Sequence, residues 1–382
     1  MREVVEALAG AGRPVCAYVY SLDALRARAA ATRDALPPGA TLLYAMKANG
    51  HPDVVSTLAR AADGIEVASG GELAVALAAG ARRIAFGGPA KTDAELVDAL
   101  AAPVPLTLHV ESAQELRRLA RLGVHDRVRV ALRVNRATAG PVGTHAMTGA
   151  PTPFGIEEAQ LPAAVELARQ LGVRVAGFHL HAVSNSLDAR EYARFTANAM
   201  AWSIAAALAL DVDLEYVNVG GGLGISYLSP DAGLPLDELD WSALRRPAGV
   251  ELAFEPGRFL AADAGWYAAE VLDLKRAHGT WFAVVRGGTH HFRLPAAWGY
   301  DHPFTVVPVE EWPYPWPRPV LEDARVTAAG ELCTPRDVLC RDQPIDRVRV
   351  GDILVFGRAG AYGWDISHHE YLRHPHPQVI VV

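Results

Sequence analysis

Cysteine, lysine and long apolar runs are all scarce in this 382-residue chain, and each shortage removes a class of function. The cysteines number three, Cys16, Cys333 and Cys340. An odd, sparse set with no CxxC pair builds no disulfide framework and fits a reducing, cytoplasmic compartment. No HExxH spacing occurs either. No apolar run approaches the ~18–20 residues of a membrane span. The opening MREVVEALAGAGRPV is amphipathic and carries acids, so no secretory leader is expected. Net charge is −7, which leaves no basic excess to neutralise a phosphate backbone, so neither nucleic acid nor membrane is an expected partner. At 51% hydrophobic and 21% charged, the composition is that of an ordinary globular protein and excludes a disordered or fibrous chain.

What is present is a rhythm. Strand-like runs begin at Thr41, Gly64, Arg83, Leu106, Arg127, Val173, Leu214 and Val250, and helical patterns lie between most of them. Strands separated by helices imply parallel βαβ units. Eight such units predict an α/β protein built on a (β/α)8 barrel, with active groups at the strands' C-terminal ends. A doubly wound open sheet is the alternative. The rhythm stops near Asp263, and short alternating runs (WYAAEVLDL, TWFAVVRGG, RVGDILVFG, VIVV) predict an all-β domain. The expected organisation is a segment 1–30 joining the β domain, a barrel over 31–263 and a β domain over 264–382. The prolines of EEWPYPWPRP, from Glu310, keep that segment out of any central strand.

Chemistry gathers at the strand ends. Lys47, in YAMKAN, is either a salt-bridge partner or an amine nucleophile toward an aldehyde. His179 and His181, in FHLHAVSNS, fall on one face of a strand, and Ser184 follows. Gly220, Gly221 and Gly222 either make a tight turn or let backbone N–H groups approach a phosphate. Glu255, in FEPGRF, needs a partner to stay ionised inside an apolar run. Together they suit a phosphorylated aldehyde with a ring nitrogen, pyridoxal 5'-phosphate. The histidines at 290–291 and 368–376 lack an accompanying cysteine or carboxylate ligand set, so no metal site is expected.

In order along the chain, YAMKAN, EVASGGEL, FGGPAKT, LRVN, PFGI, HLHAVS, NVGGG, EPGR, GELCTPRD and AGAYG resemble the fold-type III pyridoxal-phosphate decarboxylases, the group of diaminopimelate and ornithine decarboxylases. That resemblance implies an alanine racemase-like barrel. It implies Lys47 as the lysine that binds the cofactor and His181 as the ring-stacking histidine. Ser184, Gly220, Gly221, Gly222, Gly257 and Arg258 would form the phosphate site, with Tyr362 reaching the phosphate from the C-terminal domain. Glu255 would partner the pyridine nitrogen. Cys333 would be lent by the partner subunit of a homodimer with shared sites and would protonate Cα, with Asp337 a nearby substrate-facing aspartate. A racemase, a catalytically silent regulator and a barrel binding protein are the competing readings. The GELCTPRD and EPGR segments and the intact lysine speak against them.

Thr334 stands where the diaminopimelate branch has a glutamate after the cysteine, and Pro153 precedes the FG motif. The features HAVSNSLDA, GGTHHFRLP and SHHEYLRHPHP resemble a third branch, the decarboxylases of carboxylate siderophore pathways. Acyl-carrier-linked decarboxylases of antibiotic pathways share part of the pattern. The expected substrate is an amino acid already joined to citrate, with diaminopimelate or another free diamino acid, or an acyl-carrier-linked amino acid, as the alternative. Arg133, His290, His291, Arg293, Cys333, Thr334 and Asp337 are the expected substrate-side residues, since a polyanion wants cationic and hydrogen-bonding partners.

Overall fold

The computed structural model describes residues 1–124, 127–138, 140–229 and 232–382. The chain divides into two units, Arg26–Ser226 with Asp231–Leu260, and Met1–Leu25 with Tyr227–Pro230 and Ala261–Val382.

After β1 (Cys16–Tyr20), which belongs to the second unit, come eight parallel strands: β2 (Thr41–Ala45), β3 (Gly64–Val67), β4 (Ile84–Phe86), β5 (Leu106–Val110), β6 (Val128–Asn135), β7 (Val175–His179), β8 (Tyr216–Asn218) and β9 (Glu251–Phe254). Each pairs with the next, and β9 returns to β2 through Ala253↔Thr41 and Phe254↔Leu42, so the sheet closes. This is the expected (β/α)8 barrel. Its strands are apolar almost without alternation because helices cover the outside and side chains fill the inside. Leu43, Ala85, Ala131 and Tyr216, from alternate strands, pack with Ala253 as one interior layer. Three alanines there leave room for the single tyrosine ring.

The helices begin where the chain supplies an acceptor. Ser69, Thr92, Ser112 and Asp188 each accept the backbone N–H of a glutamate three residues on. They satisfy one of the orphan donors of the first turn. At Thr92 the Glu95 carboxylate closes the reciprocal capping box.

The second unit is an eight-stranded sheet. β10 (Gly265–Ala277) pairs with β11 (Thr280–Val285), and β12 (Phe304–Val307) lies beyond β15 (Ile353–Phe356). β13 (Val320–Ala329) and β14 (Val338–Arg349) extend the other side. β1 lies antiparallel on β10 and parallel to β16 (Gln378–Val381). The proline-rich segment falls outside every strand, between β12 and β13.

Candidate active site

The C-terminal ends of the barrel strands converge on one polar cluster. Lys47 follows β2 on a single 3-10 turn, Met46–Ala48, rather than on the strand itself. Its Nζ lies 2.8 Å from Glu66 Oε2 on β3. The lysine side chain is 46% exposed and the glutamate 6%, so the amine faces open space while its counter-charge is buried. Burial pushes the Glu66 carboxyl above its usual range, Lys47 pulls it down and Glu255 raises it.

Glu255 follows β9 and is 4% exposed. Asn218 Nδ2, at the end of β8, donates to its Oε1 at 2.6 Å. His179 Nε2, at the end of β7, stands 3.2 Å from Oε2. His109 Nδ1, on β5, faces Oε1 at 3.7 Å and its ring stacks on His179 at 4.0 Å. Burial holds both imidazoles well below their ordinary pKa, so they are neutral at pH 7. Arg133, on β6, donates to Glu111 Oε1 at 3.0 Å and is held there.

The strand expected to carry both histidines ends at His179, so His181 lies beyond it. Its ring still runs nearly parallel to that of His179, 11° apart with centroids at 6.3 Å. His181 Nδ1 accepts from Gly221 N at 3.2 Å. The glycines are required by this approach. A Cβ on Gly220, where φ is +72°, would lie 2.2 Å from His181 Nδ1, and one on Gly221 2.6 Å from Glu255 O. A Cβ on Gly257 would meet Ala45 O at 2.8 Å, beside the Lys47 turn. Arg258 is 7% exposed. Ser184 sits on the two-residue strand Val183–Ser184.

The remaining expected residues lie in the β unit. Cys333 is exposed, on the turn between β13 and β14. Tyr362 packs edge-on against Trp298 at 5.6 Å. Thr334 N donates to Leu332 O at 2.8 Å within the same turn. Asp337 does not face outward. It is 3% exposed and accepts from Thr289 N, Thr289 Oγ1 and Leu332 N at 2.6, 2.8 and 2.8 Å. Three donors occupy this carboxylate, which clamps the Cys333 turn. His290 and His291 are wholly buried, with pKa values lowered by desolvation to about 4 and about 2. At neutral pH they carry no charge, and the cation of that segment is the exposed Arg293.

Glu66, His109, Tyr216 and Asn218 were not singled out by sequence. Each is a buried polar residue in a largely apolar strand, and Tyr216 and Asn218 share one. The signal that could find them is that a buried polar side chain at a barrel strand's C-terminal end needs a partner.

A phosphorylated aldehyde with a ring nitrogen fits this chemistry. One amine is accessible, a buried carboxylate sits across from it, a neutral ring lies beside it, and glycines line the backbone where side chains would collide. Comparison with known proteins points the same way. Residues 22–262 match the family model described as pyridoxal-dependent decarboxylase, pyridoxal binding domain. The 2-[(L-alanin-3-ylcarbamoyl)methyl]-2-hydroxybutanedioate decarboxylase of Staphylococcus aureus is 39% identical across 100% of this chain and 97% of its own. Diaminopimelate decarboxylase of Aquifex aeolicus is 32% identical, covering 95% and 86%. Among solved structures, a diaminopimelate decarboxylase from M. jannaschi superposes with a TM-score of 0.83 at 26% identity, covering 99% of this chain and 88% of that one. With the barrel closed, the lysine and glutamate in place at its strand ends and the family model matched over the whole barrel, the chain belongs to the pyridoxal-dependent decarboxylases and takes pyridoxal phosphate as its cofactor.

Proposed function

We propose that this enzyme removes the α-carboxylate of an amino-acid moiety already joined to citrate, as a step in making a carboxylate siderophore. The observation that carries the reading is full-length similarity to the Staphylococcus aureus enzyme, whose substrate name describes an alaninyl group amide-linked to a hydroxy-dicarboxylate. Thr334, in place of an acid after Cys333, supports it. An acid there would suit a distal ammonium, whereas a citryl group brings carboxylates.

When bound, pyridoxal phosphate supplies an aldehyde that an amine can attack and a ring that takes up the electron pair left by CO2. The chain's residues do the rest. Lys47 Nζ is the attachment point. Glu66, with its pKa raised by burial, takes and returns the proton that this nitrogen exchanges. Glu255 would partner the ring nitrogen and favour its protonated form, which strengthens the ring as an electron sink. His181 would stack on the ring. Ser184, Gly220–Gly222, Gly257, Arg258 and Tyr362 would hold the phosphate. Cys333, on its exposed turn, delivers a proton to Cα in the partner's site of a homodimer. Arg133, Arg293 and Thr334 would meet the substrate's carboxylates, with His290, His291 and Asp337 the other substrate-side residues. We place the enzyme in the cytoplasm, where its three free cysteines stay reduced.

The test is a panel of meso-diaminopimelate, ornithine, lysine, arginine, glutamate and the citryl-diaminopropionate conjugate, read by mass spectrometry for loss of CO2. Turnover of the conjugate alone is expected. Turnover of a free diamino acid at equal or higher kcat/KM would overturn the assignment.

A further inference from the structure

The barrel interior behind Glu255 holds two stacked histidines that the chemistry above does not use. The hydrogen bonds around them have a readable direction. Asn218 Oδ1 accepts from Gly220 N at 2.8 Å, which fixes the amide's orientation. Its Nδ2 therefore gives one proton to Glu255 Oε1 at 2.6 Å and the other to Tyr216 OH at 2.7 Å. The phenol oxygen is an acceptor there, so its own proton must go elsewhere. His109 Nε2, at 3.3 Å, is the partner it has. If Nε2 accepts, the ring proton sits on Nδ1, and Nδ1 faces Glu255 at 3.7 Å. The other tautomer fails twice. It leaves the buried phenol proton unspent and turns a lone pair toward a carboxylate.

We infer that Asn218, Tyr216 and His109 form a one-way hydrogen-bond relay that fixes His109 as the Nδ1–H tautomer and turns that N–H toward the Glu255 carboxylate. His179 Nε2 stands 3.2 Å from the other carboxylate oxygen, in an alignment that makes no hydrogen bond. The gain is specific. A buried carboxylate neutralised by lysine or arginine would have its charge already matched. One met by the Asn218 amide and flanked by two neutral imidazoles leaves that match to a cationic ring nitrogen. Burial lowers the pKa of both histidines, in keeping with neutral rings stacked at 4.0 Å. His109, Tyr216 and Asn218 are thus positioning residues. That Glu255 serves the ring nitrogen rests on the function proposed above. The tautomer does not, so the two readings fail separately.

His109, His179 and Glu255 also have donor atoms within 4.8 Å of one another, close enough for a metal ion. The relay excludes one, because a protonated Nδ1 has no lone pair to offer. The experiment is two-bond 1H–15N correlation on histidine-labelled apoenzyme, with the His109 signal assigned through His109→Asn. The expected result is a neutral ring protonated at Nδ1, with a spectrum unchanged by Zn2+. Tyr216→Phe is expected to move the proton to Nε2 and to lower kcat of the loaded enzyme roughly 10-fold, with KM unchanged. An Nε2–H ring in the wild-type protein, an imidazolium, or a Zn2+-induced shift of the His109 signal overturns the relay. The wild-type spectrum decides by itself if Tyr216→Phe does not fold.

Discussion

Two lysines at barrel strand ends show how little position says without neighbours. Lys47 and Lys91 follow β2 and β4, yet only Lys47 is open. Lys91 is 4% exposed, 2.8 Å from Glu115 Oε1, and donates to Gly88 O and His109 O. Lys47→Ala is therefore expected to abolish turnover and the visible absorbance of the loaded enzyme. An unaltered absorbance would remove Lys47 from the cofactor site. Lys91→Met leaves Glu115 buried without its cation, which costs about 3–5 kcal/mol by urea denaturation. A loss under ~1 kcal/mol would mean that the carboxyl takes a proton instead, as its burial-raised pKa favours. Gly220→Ala drives a methyl into the His181 ring. Weaker cofactor retention is expected, measured by titrating apoenzyme with pyridoxal phosphate.

At the scale of elements, the barrel was legible because strand and helix periodicities alternate for more than 200 residues and because Ser, Thr or Asp stands three residues before Glu at four helix starts. The site was legible where residues come in short words, YAMKAN or NVGGG. It was hidden where partners meet only through barrel closure, as His109 and Tyr216 do across 107 residues. Asp337 shows the opposite difficulty. The resemblance implies a substrate-facing aspartate, whereas donors from Thr289 and Leu332 hold its carboxylate in the interior. Asp337→Asn replaces one acceptor oxygen with a donor facing donors. The expected loss is roughly 1–3 kcal/mol in stability, with a matching fall in Cys333 reactivity toward its normal thiol reagents as the turn loosens. Stability within ~0.5 kcal/mol of wild type would show that the clamp is dispensable.

For the molecule as a whole, three buried neutral histidines in the β unit set an acid limit. His302 gives both ring nitrogens to partners, Tyr300 OH at 2.9 Å and Gly357 O at 2.6 Å, and desolvation lowers its pKa from the ordinary 6.5 to about 4. His290 and His291 are lowered in the same way. Between pH 6.5 and 4 the unfolded chain binds protons that the native state refuses, so stability falls as pH falls through that window. It is complete above 6.5. His302 alone contributes roughly 3 kcal/mol. Glu66 and Glu115, with raised values, act in the opposite direction near the carboxylate range. Denaturation at pH 7.5, 6 and 5 is expected to show falling stability, with a shallower slope in His302→Gln. A slope unchanged by that substitution would remove His302 from the account.

The pairing of β1 with β16 imposes an order on synthesis. Residues 17–20 form a parallel ladder with 378–381. β1 thus gains that neighbour only after β16 has emerged. The barrel strands, 41 to 254, have all their partners long before. A translating ribosome would carry a closed barrel tethered to an unfinished sheet, and a pause or truncation ahead of β16 would strand the chain in that half-built form.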